Sequence, residues 1–180
     1  MTNLWHELTP GPAGETDVVY VVVEIPNRSR NKFVYDIEGG FIKLARVLHS
    51  SLHYPGDYGF IPRTLYDDGE PVDVLVMNNE PSAPGCIIEA RPLGIFRTLD
   101  RGLRDDKVLA VPATDPLFDG YRELDDVPAH FLEEVAHFFS VYKNLQHEQV
   151  DVLKWEGRAV ALQEIERGIG MYTQRLRTTR

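Results

Sequence analysis

Along the first half of the chain, apolar residues come in short runs; along the last third they recur every three or four positions. The run Val18-Val19-Tyr20-Val21-Val22-Val23-Glu24-Ile25 is rich in β-branched side chains and stops at Pro26, the pattern of a buried strand. Lys32 to Ile37 reads as a second strand, ended by Gly39-Gly40. Asp73 to Met77 reads as a short strand with a cluster of acids at its entry. Ile87 to Phe96 and Lys107 to Val111 read as two more. Turn signals separate them at Tyr54-Pro55-Gly56-Asp57, Asp68-Gly69, Ser82-Ala83-Pro84-Gly85 and Arg101-Gly102. Short strands divided in this way predict a small barrel. Downstream, Leu132, Val135, Ala136, Phe139 and Tyr142 mark one face of a helix, with Asp126 as its expected N-cap and Pro128 in its first turn. A second helix is expected from about Arg158 to about Tyr172, striped by Leu162, Ile165, Ile169 and Tyr172 and weakened by Gly168 and Gly170. No repeat, linker or low-complexity block divides the chain, so residues 1–180 read as one α+β domain.

Composition narrows this picture. A chain of 180 residues, 43% hydrophobic, suffices for one domain with a real core. No apolar run approaches the roughly 18 residues needed to span a bilayer, and Met1-Thr2-Asn3-Leu4-Trp5 lacks the pattern of a secretory signal. Cys86 is the only cysteine, which excludes an intrachain disulfide and suits a reducing cytoplasm. Its setting, Cys86-Ile87-Ile88, predicts a buried, inert thiol. The net charge of −9 opposes binding to nucleic-acid backbones. Yet bases sit beside acids in Arg28-Ser29-Arg30-Asn31-Lys32 and Asp105-Asp106-Lys107, a mixture suited to a small anion held together with cations.

The chemistry concentrates in a few segments. Asp68, Glu70 and Asp73 place three carboxylates within six residues, where they repel one another unless cations intervene. Gly69 permits a tight backbone and Pro71 stiffens it, giving hard oxygen ligands of the kind Mg²⁺ takes. A solvated acidic turn would have the same sequence. Asp100 and Asp105, with Lys107 two residues on, form a second group; if a strand starts there, Asp105 and Lys107 share a face. Carboxylates from two segments are what a multi-metal phosphate site needs, although a charged surface hairpin fits the residues equally. Lys32, Arg46, Lys107, Lys143, Tyr54, Tyr58 and Tyr142 are the candidate anion binders. His49 and His53 lack a third ligand nearby, so zinc is not expected. Neither a GxxxxGK loop nor a serine nucleophile elbow is present.

Taken together, these segments resemble the family I soluble inorganic pyrophosphatases. The resemblance runs from about Val18 to about Lys143 and rests on six features. They are Glu24-Ile25-Pro26 followed by Lys32, then Arg46, Tyr54-Pro55-x-x-Tyr58-Gly59, Asp68-Gly69-Glu70-Pro71-Val72-Asp73-Val74, Asp100-x4-Asp105-x-Lys107, and Phe138-Phe139-x-x-Tyr142-Lys143. It implies an OB-like five-stranded β-barrel with flanking α-helices. It also implies Mg²⁺-dependent hydrolysis of pyrophosphate to two phosphates by a metal-activated water, with several ions per site. By position, Asp68, Asp73, Asp100 and Asp105 would hold the metals. Lys32, Arg46, Lys107, Tyr142 and Lys143 would bind phosphate oxygens, Tyr58 would lie near the leaving group and Glu24 would support the site. The resemblance further implies a homo-oligomer, usually a homohexamer in prokaryotic members, and the composition adds a cytoplasmic protein that engages neither nucleic acid nor membrane.

Two positions depart from the family pattern. Val34 stands where a metal-binding acid is expected, and Asp36, on the same strand face, is the nearest replacement ahead of Glu38. Glu70 stands where the family has an Asp acting as general base. The extra methylene moves the carboxylate by about 1.5 Å on a fixed backbone, and a misplacement near 1 Å can cost about 10²-fold in rate. These departures motivate an alternative, a diverged relative that binds or slowly hydrolyses another phosphate compound. A further rival is a non-catalytic OB-fold module that stacks single-stranded nucleic acid on Tyr54, Tyr58 and Tyr66; the negative charge and the acid pairs oppose it.

Overall fold

Residues 3–178 are described by the computed structural model; Met1 and Thr2 of the N-terminal stretch lie outside the described residues, as do 179–180. The Asn3 side chain accepts hydrogen bonds from the Trp5 and His6 amides and so starts α1 (Leu4–Glu7), a one-turn helix without a sequence signal of its own. Then follow β1 (Val19–Ile25), β2 (Asn31–Asp36), β3 (Phe41–Val47), β4 (Asp57–Phe60) and β5 (Asp73–Val76). The long β6 (Ile87–Asp100) turns tightly into β7 (Leu103–Arg104), and β8 (Lys107–Pro112) follows. The chain ends with α2 (Ala129–Val141), β9 (Val150–Gly157) and α3 (Arg158–Thr178).

Five strands close a ring. β1 pairs with β4, β4 with β5, β5 with β8, β8 with β6, and β6 returns to β1. This is the OB-like α+β barrel that the family resemblance implied. Its membership differs by one strand: Lys32 to Ile37 leaves the ring as β2 and forms a separate hairpin with β3. β4 takes its place, from a segment whose glycines read as a turn. Gly59 is instead a packing glycine, because a Cβ there would stand 1.9 Å from the Val22 carbonyl oxygen on the neighbouring strand. The β5–β8 pair is parallel and puts Asp73 opposite Lys107, so the two acid-bearing segments enter the barrel side by side.

The ring strands read as continuous apolar runs because both faces are covered. On β8, Leu109 and Val111 pack with Phe96, Phe138 and Phe139 under α2, whereas Val108 and Ala110 pack with Val74, Ala161 and Ile165 under α3. A third cluster joins Trp5, Tyr35, Phe60 and Tyr172, which clamps α1 and the end of α3 against the barrel. Gly168 belongs to this docking: a Cβ would stand 2.7 Å from Val72 Cγ2, and its carbonyl accepts from the Leu65 amide at 3.0 Å. α3 therefore continues through both glycines and runs past Tyr172.

Two local expectations change. Asp126 does not cap α2; it ends a short 3₁₀ turn, Leu124–Asp126, and its carboxylate accepts from the Arg122 and Glu123 amides at 2.8 Å each. Pro128 takes the N-cap position, where its missing N–H costs nothing. Cys86 is exposed, because the preceding turn ties its amide to Ala83 and presents the side chain outward. Among the described residues, no helix is long and apolar enough to cross a membrane.

Candidate active site

The acidic turn is built by its own backbone. The Tyr66 amide bonds the Glu70 carbonyl at 2.7 Å, and the Gly69 amide bonds the Tyr66 carbonyl at 3.0 Å. Asp68 Oδ1 accepts from the Glu70 amide at 3.0 Å, an Asx-type turn made possible by Gly69 at φ +88°. Asp68, Glu70 and Asp73 thereby face a cavity of about 800 Å³. Asp100 and Asp105 reach it from the β6–β7 hairpin and the start of β8, and Tyr142 and Lys143 from the end of α2. Glu24, Lys32 and Tyr58 reach it from β1, β2 and β4.

Inside, cations and anions alternate. Lys107 Nζ lies 2.6 Å from Asp105 Oδ1 and 3.7 Å from Asp73 Oδ2. The Tyr58 hydroxyl donates to Asp73. Lys143 Nζ lies 2.6 Å from Asp100 Oδ2 and 3.7 Å from Glu148, so it is an ion-pair partner and not merely a helix-end charge. Glu24 accepts from the Tyr35 amide at 2.6 Å.

These pairs leave the site short of counter-charge. Burial, and then the neighbouring Asp105 and Asp68, raise the Asp73 carboxyl despite Lys107. Burial raises Asp68 too, with Asp105 adding to it. Glu70 is raised by partial loss of solvent and by Asp68. Glu24 is pushed to about 8, chiefly by burial, with Asp73 and Glu70 contributing. Lys32 moves the other way, lowered by burial and by Arg46. Burial also raises the Tyr58 and Tyr142 hydroxyls, so both remain protonated donors. Asp100 Oδ1 and Arg46 Nε are buried without a hydrogen-bond partner.

Acids disfavoured as anions and a lysine disfavoured as a cation mark a place that fits both cations and an anion. Among the described residues, no three His, Cys, Asp or Glu side chains converge closely enough to hold one ion by themselves. Lys107, Lys143 and Tyr58 occupy inner carboxylate oxygens instead. That arrangement suits Mg²⁺, which usually takes one or two carboxylates and completes its shell with water and phosphate oxygens.

Nearly every residue singled out in the sequence meets here. Three do not line the cavity wall: Lys107, only 2% exposed, acts through Asp105 and Asp73, Arg46 sits opposite Lys32 across the β2–β3 hairpin, and Tyr54 is packed against Phe138 in the core. Val34 lines the cavity. Asp36 lines it too, but its carboxylate is engaged by Lys43 at 2.6 Å and by the Gly39 amide at 2.8 Å. Lys43 went unnoticed in the sequence because β3 was not read as a strand; its register opposite Val34 places it at the cavity. Tyr54, Tyr58 and Tyr66 are 2%, 8% and 4% exposed, so their rings cannot serve as a stacking platform for bases. His49 and His53 are exposed.

A family model described as inorganic pyrophosphatase matches residues 21–173. The chain belongs to the inorganic pyrophosphatase family. It is 46% identical to the inorganic pyrophosphatase of Haloferax volcanii over 175 residues, 97% of this chain and 98% of that one. It is 42% identical to that of Geobacillus stearothermophilus, covering 90% and 98% of the two chains. Its fold is similar to the crystal structure of the inorganic pyrophosphatase from Thermus thermophilus, with a TM-score of 0.91, 40% identity and coverage of 96% and 99%. Membership of the family implies a divalent metal cofactor.

Proposed function

We propose that this chain hydrolyses inorganic pyrophosphate to two phosphates with several Mg²⁺ ions, held by Asp68, Asp73, Asp100 and Asp105. One observation carries the reading: acids from two separate segments share a cavity with Lys32, Lys143, Tyr58 and Tyr142. When bound, Mg²⁺ lowers the pKa of a coordinated water toward neutrality and shields the substrate's charge. Lys32, Tyr142 and Lys143 bind phosphate oxygens and stabilise the charge that develops on the leaving phosphate. Lys107 and Arg46, set behind that wall, add positive potential toward the phosphates. Tyr58 donates its hydroxyl proton to Asp73, fixing that carboxylate and keeping a neutral phenol beside the leaving group. Glu70 accepts the proton of the attacking water, a role favoured by its raised pKa.

Phosphate release from pyrophosphate should cease in EDTA and return with Mg²⁺. Hydrolysis insensitive to the chelator would overturn the reading. A second reading, a relative with slow or altered phosphatase chemistry, draws on Val34 in the cavity wall and on Asp36 being held by Lys43. Val34→Glu separates the two. A rise in turnover of about 10-fold or more means that an outer-lying acid is missing, whereas an unchanged Mg²⁺ dependence means that the site is complete without it.

The chain is further proposed to act in the cytoplasm as a homo-oligomer, with the hexamer as the state the family resemblance implies. Light scattering on the purified protein tests this; a monomer across working concentrations would refute it.

A further inference from the structure

Two aspartate pairs flank the cavity, Asp67-Asp68 and Asp105-Asp106. In each pair one side chain enters the cavity and its neighbour does not. The two that turn away enter one network of arginines, with Arg104 shared between them. Arg167, on α3, grips Asp67 with two bonds of 2.8 and 3.0 Å. Asp106, 4% exposed, accepts from the Tyr66 hydroxyl at 2.6 Å, Arg97 at 2.6 Å, Arg104 at 2.8 Å and the Thr98 amide at 3.0 Å. Glu164, one turn before Arg167 on α3, joins the two halves. It lies 2.7 Å from Arg104, 2.9 Å from Arg97 and 2.7 Å from Arg167.

The connectivity is specific. Arg104 reaches Asp106, Glu164 and the Tyr66 hydroxyl, with Asp67 3.5 Å away. It thus ties the segment that carries Asp68, Glu70 and Asp73 to the segment that carries Asp100 and Asp105. α3 closes the tie from behind through Glu164, Arg167 and the Gly168 carbonyl on the Leu65 amide.

We propose that this arginine–carboxylate network, with Glu164 and Arg167 at its hub, is a positioning device that holds the two acid-bearing segments at the spacing needed to capture divalent cations. The inference rests on the reading that Asp68, Asp73, Asp100 and Asp105 hold metal. Like charges on the two segments push them apart when no cation lies between them. Bidentate arginine pairs resist that push because their geometry is fixed as well as attractive. A site already at its working spacing gives up less of its binding energy to reorganisation. Glu164 and Arg167 touch no substrate in this scheme; they act through Asp67, Asp106 and the backbone between them.

The test uses the full chain and two substitutions of opposite charge, Glu164→Gln and Arg167→Gln. Mn²⁺ binding without substrate is followed by electron paramagnetic resonance, and half-activating Mg²⁺ is measured at saturating pyrophosphate. Both variants are expected to weaken metal binding by about 10-fold, with kcat at saturating Mg²⁺ changed less than about 2-fold. If the network acted only through its charge, Arg167→Gln would bind metal more tightly and Glu164→Gln more weakly; that pattern overturns the proposal. So does unchanged metal affinity in both, even with lowered melting temperatures. Arg167→Lys keeps the charge and loses the fork, so it is expected to weaken binding as well, and it serves if either glutamine variant fails to fold. Asp105→Asn is measured alongside. If it leaves the metal curve of the otherwise natural protein unmoved, the metal assignment itself has failed, and the network proposal falls with it for that identifiable reason.

Discussion

Two clusters of charge lie back to back on the Asp67–Asp73 turn, and they are opposites in completeness. Behind the turn, each carboxylate of Asp67, Asp106 and Glu164 is bound by arginine. Burial alone would raise Glu164, but hydrogen bonds from Arg104, Arg167 and Arg97 bring it down to about 2. In front, Asp68, Glu70, Asp73 and Glu24 are all raised, and buried polar atoms of Asp100 and Arg46 lack partners. The residue types are the same; the difference is the supply of guanidinium. The back is compensated by the protein's own arginines, while the front is the face proposed to bind cations and phosphate. The proposed site therefore coincides with the place where the fold leaves charge uncompensated.

Substitution at the centre of each cluster gives the sharpest contrast. Asp73→Ala should lower phosphate release by more than about 100-fold, since a ligand matters more than an outer partner, while leaving the melting temperature of the metal-free protein unchanged or raised. A large fall in that melting temperature would erase the distinction between front and back. Asp106→Ala should do the reverse, costing about 3–5 kcal/mol in urea unfolding because two arginines lose their buried partner. A loss below about 1 kcal/mol would place Asp106 among ordinary surface charges.

pH separates the clusters more gently. Glu164 lies below its ordinary 4.5, so its contribution is present above that value and is lost as pH falls toward about 2. Glu24 lies above its ordinary 4.5, so its contribution is present below that value and is lost as pH rises through about 8. In EDTA, thermal melts should therefore peak on the acid side of neutrality and decline in both directions. Mg²⁺ should flatten the alkaline decline, since cations favour the ionised front, and leave the acid limb in place. An alkaline limb that ignores Mg²⁺ would separate Glu24 from the metal site.

The front of the site was legible in the sequence because it is local. Asp68, Glu70 and Asp73 lie within one turn, and their chemistry survives without knowledge of the fold. The back was not legible, because its partners are distant: Arg104 and Glu164 are 60 residues apart, and Asp67 and Arg167 are 100 apart. On α3, Glu164 and Arg167 lie off the apolar stripe and are not singled out in the sequence, and Gly168 reads only as a weak spot. The barrel was legible in kind through the β-branched runs. β4 was not, since a strand squeezed against Val22 needs glycine, and glycine reads as a turn. Lys43 was lost with β3, whose residues are mostly exposed and give no apolar rhythm.

The neighbouring aspartates at the entry to β8 impose a constraint of a different kind. Asp105 belongs to the cavity and Asp106 to the arginines, and successive side chains along extended backbone point to opposite sides. Sliding this segment by one residue would send Asp106 to the cavity, leave Arg97 and Arg104 with Glu164 but without Asp106, and move Lys107 out of line with Asp73. The Arg101-Gly102 turn can therefore vary in sequence wherever its left-handed backbone is kept, but it tolerates neither the insertion nor the deletion of a single residue.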